Sequence, residues 1–204
     1  MFESFILAGG RSTRMGTDKA FLMLGGKTFL DRIRDSLKTA GTRRVSVVTA
    51  HGKDDGGGLS GISVIGDIYP GRGALGGIHS SLVSCSERYA AIVACDYPFV
   101  SAELFSLLHR TVETEAADVA VPVQPDGIVQ PLCGLYDAEK CLLEIESMME
   151  APDLGRSVRE MLERMNTREI TYEEYSDLEN SERLLLNVNS KEDLENARAL
   201  LEDK

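Results

Sequence analysis

Apolar residues recur along the chain with two periods, and the alternation of those periods predicts the architecture. Phe5-Ile6-Leu7-Ala8 is a short apolar run ending in glycines, the pattern of a buried strand. Phe29, Leu30, Ile33 and Leu37 then recur at helical spacing, and Gly41 stands where such a helix stops. Val45 to Val48 predicts a second strand, Ser63 to Ile65 a third, and Leu75 to Ser86 a helix. Tyr89 to Ala94 is a strongly apolar fourth strand. Ser101 suits the N-cap of a helix through Leu104, Leu107 and Leu108. Val119-Ala120-Val121 and Ile128 to Tyr136 predict further strands. Ala138 to Met149 and Leu154 to Met165 predict helices, and Leu184 to Val188 a short strand. Ser190-Lys191-Glu192-Asp193 is a capping-box start for a last helix through Leu194, Ala197, Leu200 and Leu201.

Strands separated by helices of this length imply parallel pairing and a three-layer α/β fold with a mostly parallel sheet. In such sheets ligands bind beyond the carboxyl ends of the strands. The loops after Ala8, Val48, Ile65 and Ala94 are therefore where function is expected.

Composition narrows the classes. The 204 residues suit one domain with an unstapled core. The formal net charge of −11 argues against a nucleic-acid binder, which would show a basic face. Cys85, Cys95, Cys133 and Cys141 form no C-x-x-C pair and have no histidine at metal-ligand spacing. They read as reduced, mostly buried thiols. The start, Met1-Phe2-Glu3, is acidic, and no stretch approaches ~20 apolar residues. The expectation is a cytoplasmic protein with no membrane partner.

The chemistry concentrates in the first loop. A strand runs into Gly9-Gly10, then Arg11-Ser12-Thr13-Arg14-Met15-Gly16-Thr17-Asp18-Lys19. Glycines let the backbone approach a phosphate, whose oxygens exposed N–H groups then cradle. Arg14 and Lys19 add positive charge, arginine as a two-pronged donor and lysine as a point charge. A Walker A loop is excluded, because Thr17 follows Gly16 where that pattern needs lysine. A plain strand-to-helix turn with solvated charges would need neither this length nor two cations.

Two further loops carry candidates. Asp67 follows the third strand, and Gly71, Gly73 and Gly76 open the next helix with a formal G-x-G-x-x-G. A dinucleotide fingerprint should follow its strand at once, yet Asp67-Ile68-Tyr69-Pro70 intervenes. Asp96 lies just past the fourth strand. It reads as a hard-oxygen ligand for Mg²⁺ or as a cap of the following turn. Gln130 reads equally as a substrate contact or as the one polar residue of a core strand. Asn187 and Asn189 alternate across a predicted strand, so their amides share one side. Helix capping explains Ser190 but not both asparagines. His51, His79 and His109 form no group that suggests a catalytic histidine.

Leu7-Ala8-Gly9-Gly10-Arg11-Ser12-Thr13-Arg14-Met15-Gly16-Thr17-Asp18-Lys19-Ala20 resembles the signature loop of the molybdenum cofactor guanylyltransferases. Leu24-Gly25-Gly26-Lys27-Thr28-Phe29-Leu30 is similar to the segment that follows it in the family, with threonine in place of proline. Cys95-Asp96-Tyr97-Pro98-Phe99, Gln130-Pro131-Leu132 and Asn187-Val188-Asn189 resemble later family motifs. The resemblance spans Phe5 to Leu201 and implies a Rossmann-like fold of the nucleotide-diphospho-sugar transferase type, in one domain. Residues 1–100 would bind nucleotide and residues 101–204 the second substrate.

The implied catalytic residues are Arg14, Lys19 and Asp96, with Asp96 holding Mg²⁺. Leu7, Ala8, Gly9, Gly10, Lys19, Thr49, Asp67, Gly73, Gly77 and Asp96 would bind GTP. Thr49 stands where the family carries an asparagine, and Ala74 where it commonly has proline. Gln130, Arg156, Asn187 and Asn189 would face molybdopterin. The implied reaction transfers GMP from GTP to molybdopterin, with transient contacts to other molybdenum cofactor proteins. The competing readings are a cytidylyltransferase for the same cofactor, a sugar- or polyol-phosphate nucleotidyltransferase, and a silent nucleotide-binding regulator.

Overall fold

A computed structural model of the chain describes residues 1–8, 19–50, 62–150 and 157–202. The strands are β1 (Phe2–Leu7), β2 (Met23–Leu24), β3 (Lys27–Thr28), β4 (Val45–Thr49), β5 (Ser63–Gly66), β6 (Tyr89–Ala94), β7 (Val119–Pro122), β8 (Cys133–Asp137) and β9 (Thr167–Ile170). The helices are α1 (Phe29–Thr39), α2 (Ala74–Ser84), α3 (Ala102–Thr114), α4 (Ala138–Glu150), α5 (Val158–Arg164), α6 (Tyr172–Tyr175) and α7 (Lys191–Glu202). Seven strands form one sheet in the order β5-β4-β1-β6-β8-β7-β9, and β2 pairs with β3 in a small hairpin.

The four strands β5, β4, β1 and β6 are parallel, as the sequence predicts. β8 runs antiparallel between β6 and β7, while β9 is parallel to β7. The reversal matters for function. It turns the amino end of β8, with Gln130 just ahead of it, toward the carboxyl ends of β1 and β6. Ala94 at the end of β6 donates its N–H to Leu132 O at 2.8 Å, which fixes that juxtaposition.

Side-chain alternation along the strands divides the core into two layers. Phe2, Ile6, Ala91, Val93 and Leu135 pack under Leu30, Ile33 and Leu37 of α1 and Leu104, Phe105 and Leu108 of α3. Phe5, Leu7, Ile92, Val121 and Tyr136 pack on the other face with Leu75, Ile78 and Leu82 of α2 and Cys141, Ile145 and Met148 of α4. This is the predicted three-layer α/β arrangement. α1 begins where Thr28 accepts the Asp31 N–H at 3.0 Å, and α3 where Ser101 accepts the Leu104 N–H at 3.2 Å. All four cysteines are free, with Cys133 and Cys141 buried and Cys85 and Cys95 half-buried. Among the described residues no helix is long and apolar enough to cross a membrane.

Several expectations are corrected. Leu184 to Val188 is not a strand. Leu184 and Leu186 donate their N–H groups within turns, to Ser181 O and Arg183 O, and the Gln124 side-chain amide takes Leu185 O at 2.8 Å. Those groups are thereby used up before any ladder could form. The strand expected from Ile128 begins only at Cys133, and Val129 makes an isolated bridge to Val123. The helix expected from Leu154 is described from Val158, residues 151–156 lying outside the described chain. The edge strand β9 lacks a sequence signal, whereas the hairpin β2–β3 turns at Gly25-Gly26, both at positive φ, and the short α6 starts with a Thr171–Glu174 capping box. In β9 only Ile170 is buried, so there is no alternation to read.

Candidate active site

The carboxyl ends of the parallel strands are flush. Ala8 N–H donates to Val48 O at 2.9 Å, and Cys95 N–H to Leu7 O at 3.1 Å. The glycine-rich segment lies between Ala8 and Lys19, and Lys19 opens a 3-10 turn, Lys19–Phe21. Gly9, Gly10 and Arg14 lie outside the described residues, as does Arg156.

Lys19 carries its ammonium back to the strand ends. Its Nζ donates to Asn189 Oδ1 and stands 3.8 Å from Asp96 Oδ2. Both side chains are largely shielded, Lys19 being 17% exposed and Asp96 19%. Burial raises the Asp96 carboxyl above its ordinary value, and the Lys19 charge and the Asn187 amide only partly offset it. A carboxylate held this way is short of partners. Asp96 Oδ1 is buried without a hydrogen bond, and so is Asn187 Oδ1. Burying such oxygens costs free energy unless something else satisfies them.

The segment before α7 is docked on the same point. Val188 N–H donates to the main-chain oxygen of Asp96 at 2.9 Å, and Val188 itself is buried. This bond, rather than a strand ladder, brings Asn187 and Asn189 to the site. Asp193 Oδ2 then accepts the N–H groups of Asn189 and Ser190, both at 2.8 Å, and Ser190 Oγ accepts the Asp193 N–H at 3.1 Å. That is the predicted capping box, and here it also holds the residue that touches Lys19. Asp193→Ala should cost about 1 kcal/mol as a lost helix cap. Because Asn189 would lose its anchor, turnover should fall as well, and paired thermal melts and kinetics would check the two effects together.

The β5–α2 connection forms a second station. Thr49 at the end of β4 accepts the Asp67 N–H on its carbonyl at 2.9 Å. Asp67 Oδ1 accepts from Tyr69 N at 2.9 Å and from Ser80 Oγ at 3.3 Å. Gly73 begins α2 with φ +59°, a conformation L side chains rarely adopt. At Gly77 a Cβ would stand 3.3 Å from Leu7 Cδ1, so the missing side chain lets α2 lie against the end of β1. Thr49 with Asp67, and Leu7 with Gly77, are thus joined in pairs at the carboxyl end of the parallel strands.

The structure brings Lys19, Asp96, Asn187 and Asn189 together, and reaches Gln130 through Tyr97, whose hydroxyl donates to Gln130 Oε1 at 2.5 Å. Tyr97 and Asp193 are the two contributors that sequence reasoning did not single out as site residues. Among the described residues no group of three or more His, Cys, Asp or Glu could hold a metal without further ligands. His79 and His109 lie elsewhere, against Tyr69 and Tyr89.

Residues 4–169 match the family model described as the MobA-like NTP transferase domain. The chain belongs to this family. A molybdenum cofactor guanylyltransferase of Desulfosudis oleivorans is 34% identical over 198 residues, covering 96% of this chain and 94% of the relative. A probable molybdenum cofactor guanylyltransferase of Pelotomaculum thermopropionicum is 32% identical, over 97% and 92% of the two chains. The crystal structure of molybdopterin-guanine dinucleotide biosynthesis protein A from Archaeoglobus fulgidus shares the fold, with a TM-score of 0.81 and 23% identity over 99% and 100% of the chains. The MobA-like chain described here is a nucleotidyltransferase.

Proposed function

We propose that this nucleotidyltransferase transfers GMP from GTP to molybdopterin and releases pyrophosphate, as the names of its relatives suggest. In the reaction an oxygen of the acceptor's phosphate bonds to the α-phosphorus of GTP. The bond from that phosphorus to the bridging oxygen breaks, and pyrophosphate leaves with the electron pair. The nucleophile is already ionised at neutral pH, so no general base is needed, in keeping with the lack of a histidine among the described residues of the site. Catalysis then rests on positioning and on charge placed in advance.

The observation that carries this reading is the shielded Lys19–Asp96 pair with two unsatisfied oxygens, Asp96 Oδ1 and Asn187 Oδ1, beside it. These are hard donors, few in number, and Mg²⁺ commonly takes one or two protein oxygens and fills its remaining positions with phosphate oxygens and water. The donor set therefore fits Mg²⁺, with Asp96 as its ligand. When bound, the ion would neutralise charge on the phosphates. Lys19 would bind the triphosphate as a point charge, with Arg14 from the same loop beside it. Leu7, Ala8, Gly9, Gly10, Thr49, Asp67, Gly73 and Gly77 would line the nucleotide side. Gln130, Asn187, Asn189 and Arg156 would line the acceptor side. Residues 1–100 thus supply the nucleotide half and residues 101–204 the acceptor half. The reading places the enzyme in the cytoplasm, with its nucleotide.

Pyrophosphate release with GTP, CTP, ATP and UTP, each with and without molybdopterin, tests it. The expected result is turnover with GTP only when molybdopterin is present. Preference for CTP would overturn the guanylyl assignment. Turnover with sugar or polyol phosphates and none with molybdopterin would overturn the acceptor.

A further inference from the structure

Gln130 is fixed at three points. Its N–H donates to Pro122 O at 2.9 Å, its carbonyl accepts the Cys133 N–H at 3.1 Å, and its side-chain Oε1 accepts the Tyr97 hydroxyl at 2.5 Å. The Tyr97 ring is 5% exposed and packs in the same core layer as Ala94, Val100 and Leu104. The phenol is thus delivered from rigid scaffold. A protonated phenol donates one hydrogen bond and can accept others; the Tyr97 oxygen accepts from the Asn187 amide, which leaves its proton for Gln130, and an amide offers one accepting end and one donating end. With Oε1 committed to Tyr97, the NH₂ is the end left for a ligand.

We propose that Tyr97 is a positioning residue for the acceptor: its hydroxyl locks the Gln130 amide so that the NH₂ donates to an anionic oxygen of the acceptor, its phosphate being the reacting example. This rests on the reading above, in which the acceptor bears a phosphate. A glutamine free to flip would present its carbonyl as often as its NH₂, and a carbonyl oxygen repels an anion. The lock removes that state before the substrate arrives, which is preorganisation of a polar contact. The Asn187 amide faces both Tyr97 and Asp96, so the acceptor-side lock and the proposed metal carboxylate share a neighbour.

Tyr97→Phe keeps the buried ring and removes only the hydroxyl. The KM for molybdopterin should rise about five- to tenfold, the scale of one lost hydrogen bond, with the KM for GTP unmoved and kcat changed less than the acceptor KM. Adding Gln130→Ala to Tyr97→Phe should do no more harm than Gln130→Ala alone, because the phenol acts only through the amide. Gln130→Glu, on a half-buried side chain, keeps an oxygen for the phenol but replaces the NH₂ with an oxygen. It should weaken acceptor binding at least as much as alanine does. An unchanged molybdopterin KM in Tyr97→Phe, multiplicative effects in the double variant, or normal acceptor KM in Gln130→Glu would each overturn the proposal. Should the wild type reject molybdopterin and use another phosphate acceptor, the substrate reading falls, and the same comparison on that acceptor still decides the role of Tyr97.

Discussion

Lys19→Ala is expected to lower kcat/KM for GTP by about 100- to 1,000-fold, the scale of losing one preorganised donor to developing charge. Lys19 acts in two ways. It supplies a point charge at the strand ends, and it offsets the burial that drives the Asp96 carboxyl upward. Without the ammonium, burial acts on Asp96 with less opposition, so its folded-state pKa rises further. A group that must be ionised to hold a cation then loses function at a higher pH than before. The acid limb of the pH profile of kcat/KM should therefore move to higher pH in the variant. Lys19→Arg should not restore full activity, because a planar fork cannot replace a compact ammonium in contact with Asn189 and Asp96. Wild-type turnover in Lys19→Ala would defeat the assignment.

Asp96→Asn is expected to cost more, on the order of 1,000-fold or greater in kcat/KM, since charge stabilisation by a metal is worth several kcal/mol and each 1.36 kcal/mol is tenfold. Its stability should move the other way. Burial raises the folded-state pKa of Asp96 above its unfolded value, so ionising it destabilises the fold. That cost is absent below the unfolded carboxyl pKa and grows as pH climbs from there through the folded value. Asparagine carries no charge, so the variant should melt above the metal-free wild type at neutral pH, and the gap should close toward acid pH. Mg²⁺ with GTP should raise the wild-type melting temperature by mass action and leave the variant nearly unmoved. A variant that still responds fully to Mg²⁺ would place the metal elsewhere, and one that melts lower at neutral pH would show the Asp96 charge to be stabilising in the fold.

Much of this was legible in the sequence, because burial and chemistry coincide there. The buried β6 run Tyr89–Ala94 is followed two residues later by Asp96, and an aspartate just past the carboxyl end of a buried strand has few bland explanations. The direction of β8 was not legible. Side-chain alternation is the same for parallel and antiparallel neighbours, so nothing in Cys133–Asp137 announces the reversal that brings Gln130 into place. The Leu184–Val188 run was apolar for packing alone, and a short apolar run does not reveal whether its backbone groups will pair in a ladder or in turns. Tyr97 escaped notice because a tyrosine beside Pro98 reads as core, and its ring is indeed core. Only its hydroxyl has a second role, and a partner 33 residues away in the chain leaves no local signature.

The Lys19–Asn189 contact joins positions 170 residues apart. Every strand of the sheet, through Ile170, leaves the ribosome before Asn187 does. A nascent chain can therefore pair its sheet strands before the Lys19–Asn189 contact, which has a large sequence separation and is of the kind slowest to form, becomes available. A chain cut before Asn187 would lose the partner of Lys19 and would also uncover Leu24, Phe29 and Phe99, which pack against Val188, Leu194 and Ala197, so the catalytic contact and a part of the core depend on the same late segment.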